Sequence, residues 1–251
     1  MKKITSTILL ATSLGLASQA SATIVFQGGS INTAGNWFDT DNGNATGLPG
    51  SGDTATIAVD GTIVNTTTNF GTAIVNHTAG TLTSNAQNIN LNFNGAGGTY
   101  NLQGGTLVLR GLQANGTGTT INLESGLVRL GTTTNTGIGF GVNNGGTLNI
   151  GGSVVIESDR AITSPFDTGT FDFSSDWTGS FTVVGFDEAG GFENLLQDFG
   201  ASVDGVAVDG TNFDTFFETS NNGLTLTAVP EPSSAALLGL GGLALIMRRR
   251  K

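Results

Sequence analysis

No cysteine occurs anywhere in the 251 residues. That absence removes disulfides, iron–sulfur ligation, thiolate zinc sites and cysteine nucleophiles together, and leaves stability to packing and the backbone hydrogen-bond ladder. Histidine is almost missing as well. His77 stands alone, so a multi-histidine metal centre is excluded, and a catalytic triad has only this one imidazole to draw on. Its place in the chain reads as an ordinary strand position. Basic residues are few and lie mostly at the ends: Lys2 and Lys3 open the chain, Arg248, Arg249, Arg250 and Lys251 close it, and only Arg110, Arg129 and Arg160 stand between. Over residues 23–229 eighteen acids face those three arginines, with no lysine at all. A surface near minus fifteen repels phosphate backbones, because nucleic-acid binding needs clustered Lys and Arg to displace counterions. Nucleic acid is therefore excluded as a partner, and no lysine is present there to serve as a base or to complete a phosphate-binding loop.

What the chain does have is glycine, 40 residues of it, with abundant Asn and Thr and only four prolines. Such a composition can belong to a disordered coat. Against that stands a persistent alternation of Val, Ile, Leu and Phe with Thr and Asn, the pattern of a strand with one buried face, so an all-β fold is expected. Thr23-Ile24-Val25-Phe26 reads as the first strand and Asn36-Trp37-Phe38 as the next extended piece, with Trp37 expected to close one end of the core. Residues 53–59 form a further strand, and the Asp60-Gly61 turn suggests that Thr62-Ile63-Val64 returns as its hairpin partner.

From about residue 72 the chain repeats itself. Asn76-His77-Thr78-Ala79-Gly80-Thr81-Leu82 is followed by Asn101-Leu102-Gln103-Gly104-Gly105-Thr106-Leu107 and by Asn122-Leu123-Glu124-Ser125-Gly126-Leu127-Val128, with a looser copy at Asn149-Ile150-Gly151-Gly152-Ser153-Val154-Val155. The lead-ins agree too: Thr99-Tyr100-Asn101, Thr120-Ile121-Asn122 and Thr147-Leu148-Asn149. One such unit cannot bury its apolar side alone. Stacked units bury a continuous stripe and satisfy each strand's N–H and C=O against the rungs above and below, with glycine at the corners. This predicts a parallel β-solenoid in which Leu102, Leu123 and Ile150 stack inside. An antiparallel sandwich is the competing architecture, and the repeat favours the solenoid.

After Ile162 the composition changes. Between Asp167 and Glu218 there are eleven acids, no base and most of the phenylalanines. This segment reads as a cap that stops edge-to-edge polymerisation. It contains strands at 170–173 and 179–186, a helix with apolar positions 192, 195, 196 and 199 ending at Gly200, a hairpin at 203–208 and a last strand at 224–227.

The search for chemistry finds little. Polysaccharide-cleaving solenoids need a facing carboxylate pair, and within the repeats the acids are Glu124, Glu157 and Asp159. Glu157-Ser158-Asp159-Arg160 is the densest polar cluster there, without the bound calcium and basic group a lyase requires. Asp39-Thr40-Asp41-Asn42-Gly43-Asn44 has a faint likeness to a calcium loop, but its glycine comes one residue early and no bidentate Glu closes it, so a polar surface turn is expected. No catalytic residue, no metal site and no cofactor is predicted, and the chain is not expected to be an enzyme.

The ends carry the clearest signals. Lys2-Lys3, an apolar stretch from Ile8 to Ala17 and the small-x-small step Ala20-Ser21-Ala22 make a secretory signal peptide cleaved after Ala22. At the other end Pro230-Glu231-Pro232 forms a rigid extended kink. An uncharged run rich in Leu, Gly and Ala covers residues 233–247, and the four cations 248–251 would stay cytoplasmic. The run is short for a permanent anchor. The domain plan is thus 1–22 signal peptide, 23–162 solenoid, 163–229 cap and 230–251 tail. Pro-Glu-Pro, short apolar helix and Arg-rich end, in that order, resemble the PEP-CTERM sorting signal of Gram-negative bacteria. The resemblance implies export through the inner membrane, transient anchoring by a transmembrane helix, and processing by an exosortase, with signal peptidase acting at the other end. The head of the body, Asn36-Trp37, Leu48-Pro49-Gly50 and Gly52-Asp53-Thr54-Ala55-Thr56-Ile57, is similar to autotransporter-like surface proteins that open a β-solenoid. Two roles are compatible with this plan. One is a structural or adhesive protein of the cell surface or extracellular matrix, with exopolysaccharide as a candidate partner. The other is a carbohydrate-binding or carbohydrate-active solenoid, which would need exposed aromatic platforms or a carboxylate pair.

Overall fold

The computed structural model describes residues 23–41, 43–45, 47–64, 70–84, 97–131, 138–159, 162–184, 189–220 and 223–226. Both expected terminal helices, in 1–22 and 230–251, lie outside the described residues. Within them the fold is a parallel β-solenoid, as the repeat predicted. Its first face is a stack of short strands: Thr23–Phe26, Thr54–Ile57, Ile74–His77, the first part of Thr99–Leu109, the first part of Thr120–Leu130, Thr147–Ile150, Thr170–Phe173 and Ala201–Val203. Each pairs in parallel with the next.

Because side chains alternate along a strand, in-register stacking turns the two-residue period into columns. One inward column runs Ala55, Val75, Tyr100, Ile121, Leu148, Phe171 and the other His77, Leu102, Leu123, Ile150, Phe173. All are buried. Removing the Val, Leu, Ile and Phe side chains among them from water contributes roughly 1.5–3 kcal/mol each, so the solenoid is held by a core that no single rung could form. Two outward columns lie between them in sequence. One is Thr54, Ile74, Thr99, Thr120, Thr147 and Thr170; the other is Thr56, Asn76, Asn101, Asn122, Asn149 and Asp172.

At the corner after this face the chain bends and continues into a second parallel stack: Gly29–Ser30, Gly61–Ile63, Thr81–Ser84, the second parts of the two long strands, Val155–Ser158 and Ser180–Val183. Leu82, Leu107, Val128, Ile156 and Phe181 form its inner column. Gly80, Gly105 and Gly126 occupy successive corners with positive φ, and a Cβ on Gly105 would lie 2.5 Å from the Gly80 carbonyl oxygen. Conformation and crowding both demand glycine there. A third, smaller face stacks Leu112–Asn115, Ile138–Asn143 and Ile162–Asp167 in parallel.

The hairpin expected at Asp60-Gly61 is not formed. Gly61–Ile63 does not pair with Thr54–Ile57; it pairs in parallel with the strands of the adjacent rungs. A hairpin would leave one edge of each strand unpaired, whereas a corner satisfies both edges and sends Ile57 and Ile63 into the same core.

Each end is closed by antiparallel pairing. At the first end Trp37–Asp39 runs antiparallel to Thr23–Phe26. Trp37 is fully buried against Phe26 and Phe70, with ring centroids 5.0 and 5.5 Å away, and its indole N–H donates to the Ile31 carbonyl at 2.9 Å. Residues 163–229 join the stack before they close it, since Thr170–Phe173, Ser180–Val183 and Ala201–Val203 all continue the parallel faces. Antiparallel pairs then end both faces: Ala201–Val203 with Val206–Ala207, through an Asp204-Gly205 turn at positive φ, and Ser180–Val183 with Gly223–Leu226, which pairs in turn with Phe217–Ser220. The helix Ala189–Asp198 buries Phe192, Leu195 and Leu196, and beyond it Phe199 stacks on Phe171 at 4.8 Å, while Gly200 at φ 59° turns the chain out. Phe171, Phe173, Phe181, Phe192 and Phe199 of the acidic segment thus fill the last rungs, with Phe140 packed beside them.

Candidate functional site

The residues with the strongest sequence signal, Ala20 and Ala22 at the leader, Pro230, Glu231 and Pro232 at the kink, and Arg248, Arg249, Arg250 and Lys251 at the end, all lie outside the described residues. Among the described residues no helix is long and apolar enough to cross a membrane. The sites that can be built from geometry are those of the solenoid.

His77 occupies the inward position level with Leu102 on the next rung. Its Nδ1 is 2.8 Å from the Tyr100 hydroxyl and its Nε2 is 3.2 Å from the Gly80 carbonyl oxygen. The carbonyl can only accept, so Nε2 carries the proton and Nδ1 accepts from the phenol. Burial pushes the His77 pKa below its usual value and raises that of Tyr100. Both groups are therefore neutral and mutually satisfied, a structural pair with no solvent-facing atom to offer a substrate.

Glu157 is paired with Arg129 at 2.9 Å across neighbouring rungs, both side chains being more than a third exposed. An ion pair this exposed is screened by solvent and contributes little to stability. The adjacent Asp159 is exposed. In the 39–44 loop, Asp39 is buried and its Oδ1 accepts from the Asp41 N–H at 2.8 Å, while Asp41 Oδ2 accepts from the Thr23 N–H at 2.9 Å. Both carboxylates are turned to backbone donors, as in a polar turn. Among the described residues no three His, Asp or Glu side chains converge on a metal position.

The outward Asn column forms a continuous amide ladder. Asn101 Nδ2 donates to Asn76 Oδ1 at 2.8 Å, Asn122 to Asn101 at 2.7 Å, and Asn149 to Asn122 at 2.8 Å. These residues are 25, 21 and 27 positions apart in sequence, yet they lie one strand spacing apart in space. At the end of the ladder an open depression of about 590 Å³ is bordered by Asn149, Asp172, Asp176, Asp204 and Glu124. Its aspartates are engaged: Asp172 accepts from the Ser202 hydroxyl and from the Gly205 N–H at 3.0 Å, and Asp204 accepts from the Ser175 N–H at 3.0 Å. Asp176 is held below its usual pKa by hydrogen bonds from Ser174 and the Gly152 N–H.

The sequence reading recognised that each repeat opens on Asn but assigned it no role. The signal was present as Thr-x-Asn at 99, 120 and 147, whose alternate residues must share one side of a strand. Likewise Trp37, Trp177 and Tyr100, the residues that could have stacked on a sugar, are all in the core.

No curated protein and no solved structure matches the chain. Residues 228–251, which contain the Pro-Glu-Pro kink, the apolar run and the basic end, match the PEP-CTERM protein-sorting motif.

Proposed function

We propose that this chain is an exported protein of a Gram-negative cell envelope, sorted by an exosortase through residues 228–251, and that its solenoid is a passive structural or adhesive component of the cell surface or extracellular matrix. The match of the tail to the sorting motif carries the reading. The signal peptide at 1–22 delivers the chain to the inner membrane, the apolar run holds it there, and cleavage near Pro230-Glu231-Pro232 detaches the body. Support for a passive body comes from its chemistry. Its one histidine is buried, Asp41, Asp172 and Asp204 accept from backbone or hydroxyl donors, Glu157 is paired with Arg129, and both ends of its stack are closed. The acidic surface keeps copies apart at low salt.

The test is replacement of Pro230, Glu231 and Pro232 by alanine in cells that contain the sorting enzyme, followed by fractionation. The leader is separate from the kink, so export should persist while the variant accumulates in the inner membrane. Equal partition of variant and parent would make the kink a mere linker and remove the sorting role.

A further inference from the structure

We propose that the outer surface of the first face binds ice, its two polar columns holding water in the positions of the crystal lattice. The inference concerns the solenoid itself and goes beyond the sorting reading; it stands or falls whatever the tail does.

Three features of the face lead to it. The first is two-dimensional regularity. Thr99, Thr120 and Thr147 stack in register beside Asn101, Asn122 and Asn149, and the columns continue through Ile74 and Asn76 to Thr54 and Thr56 on one side, with the exposed Ile74 an apolar member of the threonine column. Neighbours along a column are separated by the strand spacing, about 4.8 Å, and the two columns by two residues of strand, about 6.6 Å. Along one axis, the prism face of hexagonal ice repeats its oxygen sites at close to the first of these lengths. A disordered or irregular surface cannot meet a lattice at more than one or two points, while a solenoid face meets it once per rung.

The second feature is rigidity. Asn101 and Asn122 each spend one N–H and one lone pair on their neighbours, while Asn76 only accepts and Asn149 only donates within the ladder, which fixes the amide orientations and leaves the remaining N–H groups and lone pairs for water. Immobilising a water costs up to about 2 kcal/mol. An array that is already ordered adds no ordering cost of its own, and the gain accumulates along the stack. The threonines add a methyl group and a hydroxyl at fixed positions, the one able to sit in a lattice hollow and the other to replace a lattice water.

The third feature is neutrality. Eighteen acids are spread over the body, yet neither column carries a charge from Thr54 to Asn149. Ice excludes ions, so a charge on this face would oppose adsorption, whereas a soluble anionic or cationic ligand would require one. An extended polysaccharide is the rival occupant. Sugar recognition draws on exposed aromatic rings, and the outward columns contain none.

The full-length protein, kept in solution with a non-ionic detergent and compared with detergent alone, should shape ice crystals and suppress recrystallisation of a frozen sucrose solution. Thr120→Tyr, which raises a bulky ring in the middle of the face, should abolish both effects with little change in melting temperature. Thr83→Tyr, on the exposed side of the second face, should retain them. Absence of ice shaping by the parent overturns the proposal, as does equal activity of the two variants. So does retention of the parent on insoluble cellulose without any effect on ice, which would assign the face to a polysaccharide. Should Thr120→Tyr fail to fold, Thr147→Asp, which adds a charge to the same column, gives the same discrimination.

Discussion

The Tyr100 hydroxyl donates to His77 Nδ1 at 2.8 Å between adjacent rungs, inside the apolar stack. The pair lets a titratable side chain take a position that Leu102 and Leu123 fill on later rungs. It also ties stability to pH. Burial lowers the His77 pKa from 6.5, so below pH 6.5 the unfolded chain binds a proton that the folded chain refuses.

Stability contributed by a neutral buried His77 is therefore present above pH 6.5 and is lost as pH falls from there toward the depressed folded value. The melting temperature should drop between pH 7 and pH 5, an interval above the reference carboxylate values. The double variant His77→Leu with Tyr100→Phe, which removes both polar groups together, should show no drop in that interval. A parallel decline in parent and double variant would place the effect elsewhere.

Leu123 lies at the centre of an inward column, between Leu102 and Ile150. Leu123→Ala should cost about 2–5 kcal/mol through lost transfer energy and an unfilled cavity. Leu123→Asp should prevent folding, because the carboxylate must be desolvated or protonated there. Thr83→Asp, on the exposed side of a strand, should leave the circular dichroism spectrum and melting temperature nearly unchanged. Equal tolerance of both aspartates would contradict a stacked core.

Gly105 combines φ 73° with a Cβ position 2.5 Å from the Gly80 carbonyl oxygen. Gly105→Ala should destabilise by about 1–3 kcal/mol from the backbone conformation alone, and by more through the clash. Gly200→Ala, also at positive φ but with nothing within 4 Å of the added Cβ, should cost clearly less. Chemical denaturation of the two variants separates crowding from conformation.

Asn122 both donates to Asn101 and accepts from Asn149. Asn122→Ala breaks two half-exposed hydrogen bonds, each worth about 0.5–1.5 kcal/mol, so a loss of about 1–3 kcal/mol is expected on urea titration. Asn122→Asp should be worse above pH 5 than below it, because the ionised carboxylate sets oxygen against Asn101 Oδ1.

Features that depend on short range were legible in the order of residues. Alternation of apolar residues with Thr and Asn placed Tyr100, Leu102, Ile121 and Leu123 on one side of their strands, and the Gly-rich repeat at 80, 105 and 126 marked the corners. The amphipathic pattern at 192, 195, 196 and 199 specified the helix, and the order of kink, apolar run and cations specified the tail. What lies beside what was decided only by the tertiary structure. The Asp60-Gly61 step looks like a hairpin turn locally, but both flanking strands gain two paired edges and a common core by turning a corner instead. The change of composition after Ile162 suggested an end to the stack, yet Phe171 and Phe173 continue the columns of Leu148 and Ile150, because burial of the column responds to apolar volume and not to residue type. The bond between His77 and Tyr100 and the amide ladder were equally hidden. They join residues 21 to 27 positions apart. Loops of unequal length separate the rungs, so these partners meet only once the buried columns have fixed the register between strands.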